Sequence, residues 1–192
     1  ASIVSSLRQK GIDARLLDAQ GKKMDLNQVR LYLIENPTAF VGISAMTTTY
    51  PFAIQLARLV REVLPNSKVI MGGVHPTVLP DEVMKEEYVD YVFRGEGDIS
   101  LSEFILRNTP DNIPGICFKE NGKTVISDKA PLVKNVDSLP MPDYGTFPVD
   151  EYVKHNELLR SLKGISMIIS RGCPYDCSFC SVKETMGRGY RI

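Results

Sequence analysis

The sequence predicts an α/β fold over residues 1–110, a parallel sheet covered by helices on both faces. Three observations predict it. Segments of helical and strand-like apolar spacing alternate through the first hundred residues, the pattern of strands joined by crossover helices. The strand-like run 39–45 is apolar without alternation, as a strand buried on both faces should be. Glycine stretches, Gly72-Gly73 and Gly95-Glu96-Gly97, follow the strand-like runs 68–71 and 89–93, at the edge where open α/β sheets bind ligands.

Each element has a local reason. Residues 1–10 place Ile3, Val4 and Leu7 on one helical face, and Gly11 stops that helix. Residues 14–18 read as a short strand with Leu16 and Leu17. Asp25 caps the next helix, with Gln28 three residues on, and Leu26, Val29 and Leu33 form its apolar stripe before Pro37. Pro51 is expected in the first turn of a helix, where its missing N–H does little harm. Phe52, Leu56, Leu59, Val60 and Val63 then recur at helical spacing. Residues 81–87 read as a short helix, with Ser100 and Glu103 as a capping box for a last one through Leu106. Glu96 and Asp98 read as further caps of that helix. A five-stranded sheet in the flavodoxin-like order 2-1-3-4-5 begins with an interior strand. This chain begins with a helix, so that first strand is expected to be missing and the chain to be a fragment.

The character changes after residue 110. Runs 113–119 and 124–127 flank Asn121-Gly122, a strong hairpin signal. The stretch 137–145 holds Pro140 and Pro142, fits no regular element and reads as a linker. Residues 111–148 are therefore expected to be a hairpin and linker. A third segment, 149–192, returns to strand at 164–170 through Ile165, Met167, Ile168 and Ile169.

Of the 192 residues, 43% are hydrophobic and 24% charged, so a real core is expected. Twenty-three basic residues balance 23 acidic ones; no basic excess argues for a nucleic-acid partner. No apolar run approaches the roughly 20 residues of a membrane span, and the first ten residues lack a signal-peptide layout. Three of the four cysteines crowd near the C-terminus, unlike the spread pairs of a secreted disulfide framework. A cytoplasmic protein is expected. Cys117 lies apart in an apolar run and reads as a buried small hydrophobe.

The most specific signal is Cys173-x-x-x-Cys177-x-x-Cys180 in Arg171-Gly-Cys-Pro-Tyr-Asp-Cys-Ser-Phe-Cys180. Thiolates suit iron–sulfur clusters or zinc. Gly172 and Pro174 favour a loop on which the sulfurs can converge. Three readings stand. A structural zinc site wants four ligands and must recruit His155 or Cys117. A redox pair of Cys177 and Cys180 leaves Cys173 unexplained. A [4Fe–4S] cluster with three protein ligands uses all three and leaves one iron open.

With Phe179 before its last cysteine, the motif resembles the radical S-adenosylmethionine (SAM) signature. The resemblance implies that Cys173, Cys177 and Cys180 hold a [4Fe–4S] cluster whose fourth iron binds SAM beside Phe179. It also implies that 149–192 opens a partial (β/α) barrel, that SAM is cleaved reductively to a 5′-deoxyadenosyl radical, and that an electron donor such as flavodoxin or ferredoxin serves it. The N-terminal part is similar to the cobalamin-binding-type domain preceding the barrel in one radical SAM group. Three stretches carry this: Val41-Gly-Ile-Ser-Ala-Met-Thr-Thr48, Gly72-Gly-Val-His-Pro-Thr77 and Gly95-Glu-Gly-Asp98. Implied cobalamin contacts are Ser44, Met46, Thr47, Thr48, Gly72, Gly73, His75, Gly95, Glu96 and Gly97, the glycines letting a flat cofactor approach the backbone. The Asp-x-His-x-x-Gly motif that supplies an axial histidine is absent. His75 by itself reads as a partly exposed turn residue before Pro76. The group implies a methyltransferase or an oxidative cyclase acting on a small molecule, with the barrel continuing past Ile192. The alternative is a cobalamin-type binding module whose cysteine loop is a zinc staple, without catalysis.

Overall fold

A computed structural model describes residues 1–146 and 168–192. Among the described residues, five strands form one sheet in chain order: β1 (Phe40–Ser44), β2 (Lys68–Gly72), β3 (Tyr91–Phe93), β4 (Ile116–Glu120) and β5 (Lys123–Ile126). β1, β2 and β3 are parallel, with Phe40 opposite Lys68 and Ile70 opposite Tyr91. β4 runs antiparallel to β3, and β5 to β4. The hairpin is therefore no separate appendage but extends the sheet. Its turn residues Asn121 and Gly122 have φ of 50° and 75°, as a two-residue hairpin turn requires.

The helices are α1 (Ser2–Gln9), α2 (Leu26–Glu35), α3 (Tyr50–Val63), α4 (Val74–Val78), α5 (Pro80–Val83), α6 (Ser100–Arg107) and α7 (Val182–Thr185). The N–H groups of Gly11 and Ile12 bond back to the carbonyls of Arg8 and Leu7, closing α1. Asp25 and Gln28 form the expected reciprocal cap of α2, at 2.8 and 2.9 Å. Pro51 lies in the first turn of α3.

Side chains alternate across the sheet. Val69 and Met71 of β2, Val92 of β3 and Cys117 of β4 pack with α2, α3 and α5 on one face. Ile70, Phe93 and Ile116 pack with Phe104 of α6 on the other. Phe104 is 1% exposed, and its ring meets those of Tyr91, Phe93 and Phe40 at 4.6, 5.6 and 5.8 Å.

Several expectations need correction. Residues 14–18 are not a strand: they have no ladder partner among the described residues, and a strand exists only as part of a ladder. The helix expected at 81–87 is shorter and starts earlier, as α5 over Pro80–Val83, and an unexpected one-turn helix, α4, precedes it. Ser100 and Glu103 form no capping box; among the described residues α6 has no side-chain cap, and the buried Ser100 hydroxyl has no hydrogen-bond partner. Within 164–170, residues 168–170 carry no strand, and 164–167, like His155, lie outside the described residues.

Candidate functional site

The C-terminal ends of β1, β2 and β3 form one edge. At the end of β1, Ser44, Met46, Thr47 and Thr48 are exposed. The β1 and β2 ends are laced together: the Ala45 N–H bonds to the Gly72 carbonyl at 2.9 Å, and the His75 N–H to the Ala45 carbonyl at 3.1 Å. Gly73 stands at this crossing with φ 98° and ψ −167°. A Cβ there would lie 2.7 Å from the Ala45 oxygen and 3.0 Å from its nitrogen. Gly73 is thus required by the protein's own backbone, while the residue itself stays exposed at this edge. Gly72 and Gly95 have no heavy atom nearer than 3.8 Å to such a Cβ; buried Gly97 faces Ile3 at 3.7 Å.

His75 is buried, not a partly exposed turn residue. Its ring stacks on Tyr50 with centroids 4.0 Å apart. Nδ1 lies 3.3 Å from the Thr47 hydroxyl. Nε2 has no hydrogen-bond partner among the described residues, the Glu82 carboxylate standing 3.8 Å away. Burial, then the charges of Glu86 and Glu82, push the Tyr50 hydroxyl up to about 12. Thr77 ties the edge to β3, donating to the Gly73 carbonyl at 2.7 Å and accepting from the Gly95 N–H at 3.0 Å. Exposed hydroxyls and a bare thioether beside an orphaned buried nitrogen fit the rim of a large ring with amide substituents, such as cobalamin.

Glu96 and Asp98 do not cap α6. Glu96 accepts two bonds from the Arg191 guanidinium, at 2.7 and 2.8 Å, and one from the Val133 N–H at 2.7 Å. Asp98 accepts two from Arg171, at 2.7 and 3.2 Å, and one from the Ser2 hydroxyl. The carboxylate side chains are only 6% and 5% exposed. Burial pushes both carboxyls up. Against it, the guanidinium bonds, the Val133 N–H or Ser2 hydroxyl, and the arginine charges hold both below their ordinary values. Glu96 is therefore not free to contact a cofactor.

Arg171 and Arg191 bracket the cysteine loop. Their backbones exchange two hydrogen bonds of 2.9 Å, closing its base. Inside it, Cys173 bonds through its backbone to Gly187 and Gly189. Asp176 pairs with Arg188 at 2.7 Å and Lys183 at 3.2 Å. α7 follows the loop and packs on α4. All three thiols are free; Cys177 is exposed, and Cys173 and Cys180 are partly buried. Phe179 is 91% exposed. Three soft donors on one loop suit a cluster in kind. The sulfurs are not gathered, however: among the described residues no three His, Cys, Asp or Glu side chains converge as a metal would need. Cys117 is fully buried in the core and cannot serve as a fourth ligand.

Sequence reasoning missed Arg171 and Arg191 as partners of the two acids. Their positions are separated by 73 and 95 residues, and only matched charge signs hinted at the pairing. No helix among the described residues is long and apolar enough to cross a membrane.

An uncharacterized methyltransferase of Pyrococcus horikoshii is 31% identical across the whole chain. The anaerobic magnesium-protoporphyrin IX monomethyl ester cyclase of Cereibacter sphaeroides is 28% identical, also across the whole chain. The chain spans only 41% and 32% of these two relatives. In fold, it resembles the radical SAM methyltransferase TsrM of Kitasatospora setae. The TM-score is 0.76 at 17% identity, over all of this chain and 39% of that one. A second TsrM structure, which holds cobalamin and a [4Fe–4S] cluster, gives 0.70 over 40% of that chain. Residues 1–105 match the B12 binding domain, and the chain belongs to that family.

Proposed function

We propose that this chain is the cobalamin-binding and cluster-loop portion of a radical SAM enzyme. In this reading the edge formed by Ser44, Met46, Thr47 and Thr48 meets cobalamin, and Cys173, Cys177 and Cys180 serve a [4Fe–4S] cluster. Residues 149–192 then open a second, barrel domain after the 1–110 domain and the 111–148 hairpin and linker, whose strands β4 and β5 extend the first domain's sheet. The reaction is methyl transfer to, or oxidative cyclisation of, a small molecule, with electrons supplied by a flavodoxin- or ferredoxin-type donor. One observation carries the reading: a loop of three free thiols is seated, through Arg171 and Arg191, beside the C-terminal edge of the parallel strands in a B12-type domain. The names of the relatives, methyltransferases and a cyclase, support the reaction classes. A cluster with three thiolate ligands would supply an open iron for SAM. The chain's own part is to seat the loop and to exclude other ligands: Cys117 is sealed in the core.

Anaerobic reconstitution with iron and sulfide tests the cluster. About four iron and four sulfide per chain, with broad absorption near ~400 nm, are expected. Colourless protein retaining zinc overturns it in favour of a structural staple. Co-elution of hydroxocobalamin on a sizing column is expected for the β1 edge. Its failure removes cobalamin from the reading.

A further inference from the structure

Two buried carboxylates on one four-residue stretch each hold one of the two arginines that bracket the cysteine loop. We propose that Glu96 and Asp98 are positioning residues for that loop: they seat its base on the α/β domain and so set how its thiols are presented. The metal arm of this inference rests on the reading given above; the thiol arm does not.

The geometry is specific. Each carboxylate is gripped by both terminal nitrogens of its guanidinium, a two-pronged bond that fixes orientation as well as distance. Arg171 also reaches Glu96 at 3.4 Å, so the two pairs share charge. Neither acid has an exposed outlet, and neither arginine side chain is more than 18% exposed. An arginine that left would strand a buried charge, which costs far more than losing a surface pair. The docked arrangement is therefore close to all-or-none. Arg191 adds bonds to the Val133 carbonyl at 2.7 Å and the Met186 carbonyl at 2.6 Å. It thereby locks the connector and the end of α7 onto the same point. Cys173 stands two residues from Arg171 and is held by the backbone bonds just inside the closed base. Loosening either pair must therefore be felt first at Cys173.

The test is site-resolved alkylation of the reduced, metal-free protein, read by mass spectrometry. Asp98→Asn and Glu96→Gln are compared with Glu62→Gln, which removes only exposed pairs to Arg30 and Arg58. The two clamp variants should speed labelling of Cys173 and Cys180 by roughly tenfold or more, since one buried pair outweighs a factor of ten in an opening equilibrium. Buried Cys117 should stay protected, and Glu62→Gln should match the parent. Arg171→Lys keeps the charge but loses the two-pronged grip; it should fall between parent and Asp98→Asn. Unchanged Cys173 labelling with Cys117 protected overturns the proposal. So does Cys117 labelling that rises in step with Cys173 in all three variants, which marks general unfolding. After iron and sulfide reconstitution, the clamp variants should lose their absorption to a chelator roughly tenfold faster than Glu62→Gln. If even the parent takes up no iron, the cluster reading fails while the alkylation result still decides the clamp.

Discussion

Replacing Gly73 with alanine attacks the candidate cofactor edge through its backbone. Gly73 has φ 98° and ψ −167°, a region populated essentially by glycine and costing other residues about 1–3 kcal/mol. The added methyl would also press on the Ala45 carbonyl oxygen at 2.7 Å and the Ala45 nitrogen at 3.0 Å. Those atoms already exchange hydrogen bonds with Gly72 and His75, so they cannot swing aside without breaking the β1–β2 lacing. Strain and contact together should cost about 3 kcal/mol. For a chain of this length that lowers Tm by roughly 6–12 °C. Gly42→Ala is the matched control: its Cβ meets nothing within 4 Å, and its effect should stay within about 0.5 kcal/mol. Thermal unfolding followed by circular dichroism reads both. A Gly73→Ala protein melting within about 2 °C of the parent would refute the backbone account.

Phe104→Ala should cost about 3–5 kcal/mol, because a ring 1% exposed is removed from between three aromatic neighbours; urea unfolding measures it. The folded carboxyls of Glu96 and Asp98 are held below their ordinary values. Their stabilisation is thus full above the unfolded carboxylate range of about 4 and is lost as pH falls through the folded values. The stability gap between the parent and Asp98→Asn should shrink on acidification below that range, as read by unfolding midpoints across pH. Burial is the main cause that pushes the Cys117 thiol up to about 11, with Asp81 adding and the Arg94 charge opposing. Native protein at pH 8 should accept three alkyl labels and urea-unfolded protein four, counted by intact mass.

Much of the fold was legible where the signal is local. Asp25 and Gln28 announce their cap because both partners lie within one helical turn. Asn121-Gly122 announces the hairpin because only a few residue pairs adopt both positive φ values. The sequence did not reveal that β4 would pair with β3, since register against a distant strand leaves no local mark. α4 was hidden by Pro76, which reads as a turn, although a proline in the first helical turn is harmless. The candidate site divides the same way. The cysteine spacing was plain, whereas the role of Glu96 was misread. A glycine-flanked acid at a strand end looks like a helix cap or ligand contact until its arginine, 95 positions away, is seen.

The bracketing of the cysteine loop bears on how portable it is. A segment 168–192 grafted onto another α/β scaffold would carry Arg171 and Arg191 with it, two cations matched to sockets that scaffold lacks. Grafts that transplant the stretch 95–98 together with the loop should retain its seating, and grafts of the loop alone should not. Chimeras built from such parts therefore have to treat these two distant stretches as a single exchangeable unit.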